Sequence, residues 1–129
     1  MILLDTHVLV WLQDEPRKLS RTAESAIRRC RPSSQIAVSV ISLVELAGLL
    51  SRGRIRSAGT IESSIRAFTE GLTVLPINLE IATLTISFPL DFPSDPMDRI
   101  IAATARAENL PLVTADQRML DSPLLKTIW

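Results

Sequence analysis

With 129 residues, 47% of them hydrophobic, the chain can build one domain with a real core. No apolar run approaches the roughly 18–20 residues that cross a bilayer, and the start, MILLDTHVLV, carries an early acid and no basic segment, so it does not read as a secretory leader. Formal net charge is zero and Cys30 is the single cysteine, which rules out an internal disulfide; the expected compartment is the cytoplasm, with Cys30 an inert helix residue.

Ile2–Leu4 is a short apolar run ending on Asp5 and reads as a buried strand. A helix over His7–Gln13 follows, closed by a polar stretch and Pro16. Ser20 is placed to cap a helix reaching about Cys30, with Ala23, Ala26 and Ile27 on one face. Pro32, Ser33 and Ser34 break the chain, and the β-branched segment Gln35–Val40 predicts a second strand. A helix is expected to start at Ser42 and run through Leu43, Leu46, Leu49 and Leu50. Gly53 and Gly59 punctuate a basic connection, Ile61–Glu70 has helical spacing, and Gly71 stops it. Leu72–Leu75 is a third strand, and Asn78 caps a helix through Ile81, Leu84 and Thr85. Three prolines mark Pro89–Pro96 as a loop. Asp95-Pro96-Met97-Asp98 opens the clearest helix, with an Asx cap, proline at the first helical position and acid in the first turn. Leu112–Thr114 and Leu125–Trp129 supply the last two strands. Strands alternating with helices predict a single α/β domain over residues 1–129, a parallel sheet covered on both faces.

The zero net charge hides an asymmetry: residues 1–65 carry nine Lys/Arg against six Asp/Glu, and residues 66–129 carry five against eight. A nucleic-acid binder of zero net charge must concentrate positive field locally. Arg28, Arg29 and Arg31 form one candidate cluster, and Arg52, Arg54 and Arg56 another; solvated helix ends and a loop explain both equally well.

Ligands of open α/β sheets sit beyond the carboxyl ends of the strands. Asp5 closes the first strand, Glu45 is expected in the first turn after the second, Asp98 lies in the first turn of its helix, and Asp116 follows the fourth strand. Four carboxylates brought to one edge repel each other unless a cation compensates. An all-oxygen donor set suits Mg²⁺ or Mn²⁺, and one histidine with one cysteine argues against zinc. Each acid also has an ordinary explanation. Ser42-Leu43-Val44-Glu45 fits a capping box, Asp98 suits the helix dipole, and Asp116 suits a turn. Asp5, at the end of a buried strand, is the hardest to explain that way.

The segments LLDTHVLVW, SLVEL, DPMDRIIAATA and LPLVTADQRML, in that order over nearly the whole chain, resemble the PIN domain, and within it the VapC-type toxins of toxin–antitoxin pairs. The resemblance implies a three-layer α/β/α sandwich around a mainly parallel sheet of about five strands. It implies a Mg²⁺-dependent endoribonuclease with Asp5, Glu45, Asp98 and Asp116 as the metal-binding and catalytic acids, Mn²⁺ being able to substitute. It further implies a homodimer and a cognate antitoxin. On this reading one or two Mg²⁺ ions lower the pKa of a bound water, which cuts RNA to leave a 5′-phosphate and a 3′-hydroxyl. Thr6 and Thr114 are the hydroxyls expected to orient the acids. His7 is expected to point elsewhere, with an orienting role as the lesser alternative, and Trp11 is expected in the core.

Other functions predict different residues. A phosphate-receiving regulator needs adjacent acids after the first strand and a late lysine, whereas Asp5 stands alone and Lys126 lies in the last strand region. A haloacid-dehalogenase-type phosphatase needs a second acid two residues on, where this chain has His7. A non-catalytic dimeric protein-binding module of the same fold explains the apolar helices but not Asp5.

Overall fold

The computed structural model describes residues 1–129, in the order β1 (Ile2–Leu4), α1 (Thr6–Asp14), α2 (Arg21–Cys30), β2 (Ile36–Ser39), α3 (Val40–Ser51), α4 (Ile61–Phe68), β3 (Thr73–Leu75), α5 (Leu79–Leu84), α6 (Pro96–Ala107), β4 (Leu112–Val113), α7 (Gln117–Leu120) and β5 (Thr127–Ile128). Short 3₁₀ turns occupy Pro16–Lys18 and Arg31–Ser33. All four strand pairings are parallel, in the order β3-β2-β1-β4-β5. No helix is long and apolar enough to cross a membrane.

Alternation along the strands divides the interior in two. Ile2, Leu4, Ile36, Val38 and Val113 pack with Val8 and Leu9 of α1, Ala23, Ala26 and Ile27 of α2, Leu46 of α3 and Phe68 of α4. Leu3, Ala37 and Leu112 face the other way, onto Ile81 of α5, Ile101, Ala102, Ala103 and Ala105 of α6, and Met119 of α7. A sheet covered on both faces explains why β1 and β2 read as continuous apolar runs rather than alternating ones. The alanines of α6 and Ala37 let helix and sheet approach closely. The result is the expected three-layer α/β/α sandwich around five parallel strands.

Beyond shifts of one or two residues at element ends, two differences from expectation bear on the site. The second strand stops at Ser39, and α3 begins at Val40 rather than Ser42. Ser39 is the cap, its hydroxyl accepting from the Ile41 N–H at 3.2 Å. Glu45 therefore sits in the second turn, and the expected capping box with Ser42 does not form. The second difference is α7, which stands where a turn at Asp116 is expected. Four residues are too few to show helical periodicity.

From β1 the chain steps to β2 and β3 on one side, then returns to place β4 on the other side of β1. The carboxyl ends of β1 and β4 thus bound the switch point where doubly wound sheets bind ligands. Asp5 follows β1 directly, and Thr114 to Asp116 follow β4. Helix α6 must end at the amino side of the sheet to feed β4, so its first turn, with Asp98, opens at this same edge.

Candidate active site

Asp5 is 3% exposed, as expected for an acid closing a buried strand. Its Oδ1 accepts the Thr6 N–H at 2.8 Å, so it caps α1, and its Oδ2 accepts the Thr114 hydroxyl at 2.8 Å. The Thr114 Oγ1 in turn accepts the Asp116 N–H at 3.1 Å. One buried hydroxyl thus ties the end of β1 to the turn after β4.

Thr6 performs the same service for Glu45. Its Oγ1 donates to Glu45 Oε1 at 2.6 Å and lies 2.9 Å from the Ser42 hydroxyl. A hydroxyl has one proton to give. With Glu45 ionised the direction is therefore set: Ser42 donates to Thr6, and Thr6 donates to Glu45. Ser42 and Thr6 are both buried, and such chains of hydrogen bonds strengthen one another. Thr6 and Thr114, the hydroxyls expected to orient the acids, each donate a hydrogen bond to one of them.

Asp116 caps α7, its Oδ1 accepting from the Arg118 N–H at 2.9 Å and the Met119 N–H at 3.3 Å. Asp95 caps α6 through Met97 N–H at 2.9 Å, while Asp98, at the third helical position, is left free of that duty. Electrostatics show which acids share a field. Burial pushes the Asp98 carboxyl from an ordinary 3.8 to about 7, helped by the negative charges of Asp5, Asp95, Glu45 and Asp116. Glu45 is raised by burial and by Asp5 and Asp95, against the lowering effect of the Thr6 hydrogen bond. The four predicted acids therefore share one negative field, to which the helix cap Asp95 adds a fifth charge.

No lysine or arginine forms an ion pair with any of the five; the basic atom near them is His7 Nδ1, 3.5 Å from Asp5 Oδ2. His7 does not point elsewhere, contrary to expectation. Its Nε2 accepts the Ala115 N–H at 3.0 Å, so a neutral ring carries its proton on Nδ1, toward Asp5. The ring lies 4.9 Å from Trp11, which lies 5.9 Å from Trp129, so Trp11 is a half-buried member of an aromatic row rather than core. His7 spans 108 residues to reach Ala115, a pairing without any local sequence signal.

The donor set suits a hard divalent cation: carboxylate oxygens, no thiol, and a histidine whose nitrogens face protein partners. No three acidic or histidine side chains stand close enough to grip one ion as a ready-made cage. Repulsion among like charges accounts for that spacing, and Mg²⁺, which keeps several of its waters, does not require a tighter one. Arg99, which no local sequence pattern distinguishes, braces the approach to α6. Its guanidinium donates to the carbonyls of Thr85, Phe88, Pro89 and Pro93 at 3.0–3.3 Å and lies over Phe92, fixing the loop that leads into α6.

The sequence matches the PIN domain family over residues 2–122. It is 36% identical over 130 residues to the ribonuclease VapC22 of Mycobacterium tuberculosis H37Rv, covering 99% of this chain and 98% of the relative. The fold is similar to that in VapBC2 from Rickettsia felis bound to a DNA fragment from their promoter. The TM-score is 0.74 at 20% identity, over 98% of this chain and 97% of that one. It is also similar to VapBC-1 from nontypeable Haemophilus influenzae, with a TM-score of 0.68 at 25% identity, over 98% and 96% of the two chains.

Proposed function

Since the chain belongs to the PIN-domain family, we propose that its acidic edge is the active site of a toxin endoribonuclease that requires a divalent cation. The observation that carries this reading is a set of five carboxylates at the β1/β4 switch point, one of them buried, without a single lysine or arginine ion pair. A buried carboxylate is ordinarily neutralised by a basic partner. Here the balancing charge has to come from outside the chain.

Asp5, Glu45, Asp98 and Asp116 would hold the cation, Mg²⁺ or Mn²⁺ by the hardness of their oxygens. When bound, such an ion supplies an activated water and charge stabilisation for hydrolysis of a phosphodiester. The chain's own groups do the positioning. Thr114 and the Thr6 N–H hold Asp5, the Ser42–Thr6 relay aims Glu45, and His7 locks the turn carrying Asp116 against Asp5. Asp98 takes up or releases a proton near neutrality, so its ligating form gains population as pH rises through about 7.

RNA is the substrate, and a protein antitoxin is the partner; the 36% identity to a ribonuclease VapC and the fold shared with VapBC complexes support both assignments. A homodimer is supported by Leu79, Ile86 and Leu90, which are 85%, 84% and 99% exposed. These three residues place the most exposed apolar patch in and just after α5.

The test is cleavage of single-stranded RNA by purified protein in Mg²⁺, in Mn²⁺ and in chelator, with Asp98→Asn alongside. Cleavage is expected only with cation, to fall by orders of magnitude in the variant, and to leave 5′-phosphates. Cutting that persists in chelator, or an Asp98→Asn protein as active as the parent, would overturn the assignment.

A further inference from the structure

An acidic active site repels the phosphates it must cut, so an RNA strand needs positive charge close by to stay in place. The fold separates the two arginine clusters. Arg28, Arg29 and Arg31 lie at the end of α2, which leads to the amino end of β2, and Arg28 is occupied by Glu24 at 2.9 Å. That cluster faces away from the acids.

The second cluster is placed differently. Helices α3 and α4 pack against each other, Leu43 of α3 lining one groove with Ile61, Ile65 and Thr69 along α4; α3 leaves the carboxyl end of β2, and α4 feeds the amino end of β3. Phe68 and Leu72 share a pocket with Leu12 and Ile36 on the amino side of the sheet, so α4 descends toward that side. Helix α3 therefore rises from the carboxyl edge, and residues 52–60 stand above the acids.

Arg52 follows Glu45 by seven residues, two helical turns or about 10 Å along the axis, and so shares its face of α3. Its guanidinium folds back along that face: a Cβ built on Gly48 would lie 3.1 Å from Arg52 Nη1. Glycine at 48 makes the seat for this group one turn from Glu45. Arg52, Arg54 and Arg56 are exposed, no acid occurs between Glu45 and Glu62, and none of the three forms an ion pair. The loop is nonetheless built. Helix α3 ends in a Schellman motif with Gly53 at φ +67°, the Arg54 N–H bonding the Leu49 carbonyl and the Gly53 N–H the Leu50 carbonyl. Ile55 packs into the core between two outward arginines, and Ser64 accepts the Ala58 N–H at 2.8 Å.

We propose that Arg52, with Arg54 and Arg56 beyond it, grips backbone phosphates of the RNA strand on the Glu45 side of the active site. The inference rests on the ribonuclease reading. Guanidinium forks suit phosphate oxygens, and contacts to the backbone hold a strand in register without selecting its sequence.

The test is binding of a 12-nucleotide single-stranded RNA of mixed sequence, in chelator so that nothing is cut, across a salt series. Each lost phosphate contact flattens the plot of log affinity against log salt by about 0.7. Arg52→Gln is expected to flatten it by about 0.7 and the triple glutamine variant by about 2, while Arg31→Gln leaves it unchanged. An unchanged slope in Arg52→Gln and the triple variant assigns these arginines to a protein partner or to solvent, and overturns the proposal even if the parent cleaves RNA normally. A parent that neither binds nor cleaves RNA overturns the ribonuclease reading itself.

Discussion

Replacing Asp98 by asparagine is expected to stabilise the protein when divalent cations are withheld. The carboxyl titrates at about 7 in the fold against an ordinary 3.8, so folding disfavours its charged form. Left unscreened, that rise would correspond to about 4 kcal/mol. The group is only half buried, and solvent screening reduces the figure to about 1–2 kcal/mol. Asp98 also favours the α6 dipole from its first turn, which returns roughly 0.5 kcal/mol to the parent. The net gain for Asp98→Asn is thus about 1 kcal/mol. The sign with pH follows from the direction of the rise. Below about 4 the aspartate is protonated in both folded and unfolded chains and costs nothing; between 4 and 7 the unfolded chain ionises while the folded one resists, so parental stability falls; above about 7 the loss is complete. Denaturant melts of parent and variant in chelator, from pH 4 to pH 8.5, should diverge through that window. Saturating Mn²⁺ should close the gap by stabilising the parent more than the variant. Parallel pH profiles, or an Asp98→Asn protein less stable at pH 8, would show that Asp98 does not sit in a crowded negative field.

Mn²⁺ or Mg²⁺ should raise the melting temperature of the parent, by about 2.7 kcal/mol in stability at a hundredfold excess over the dissociation constant, and the response should disappear in Asp5→Asn; an unresponsive parent in calorimetry would refute this. Asp95→Asn keeps the oxygen that accepts the Met97 N–H and should retain cleavage, whereas Asp95→Ala should lose about 1 kcal/mol of stability; an inactive Asp95→Asn beside an active Asp98→Asn would exchange their roles. Thr114→Val strips the hydroxyl that serves both Asp5 and the Asp116 N–H and should cost about 1–3 kcal/mol in denaturant melts, with Thr114→Ser recovering most of it. Light scattering should report a dimer at micromolar concentration that Ile86→Asp with Leu90→Asp converts to a folded monomer.

The parts of this molecule governed by local patterning were legible in the sequence. Ile2–Leu4 is a strand because nothing but burial suits it, and α6 announces itself through Asp95, Pro96 and Asp98 at fixed offsets. Asp5, Asp98 and Asp116 are legible because each lies next to a strand end or a helix start, whereas Glu45 lies a turn deeper in α3 than its sequence context suggests. What stayed hidden depends on partners distant in the chain. Ser39 and Ser42 are both sound caps for α3, and the choice is made by Thr6, 36 residues from Ser42, which draws the second serine inward. His7 looks idle until Ala115 is brought beside it. Arg99 looks like one more charged position on a helix, yet its donors hold four carbonyls of the loop before it.

Thr6 shows how the site keeps its charge while remaining folded. Asp5 and Glu45 could have been stabilised by an arginine, which would have satisfied their oxygens and cancelled their charge together. Instead both are held by hydroxyls and a backbone N–H, which supply hydrogen bonds but no countercharge. The two requirements of a buried carboxylate, hydrogen bonding and neutralisation, are thus separated: the protein meets the first, and the second is left to a ligand. That separation also adds to the rise of the Asp98 carboxyl, which burial drives first and four uncancelled neighbours increase. The Arg52 loop extends the same logic outward. Positive charge is kept out of ion pairs with the acids, where it would compete with a cation; Arg52 starts two helical turns beyond Glu45 and lays its guanidinium beside Gly48, one turn away, free for a phosphate chain.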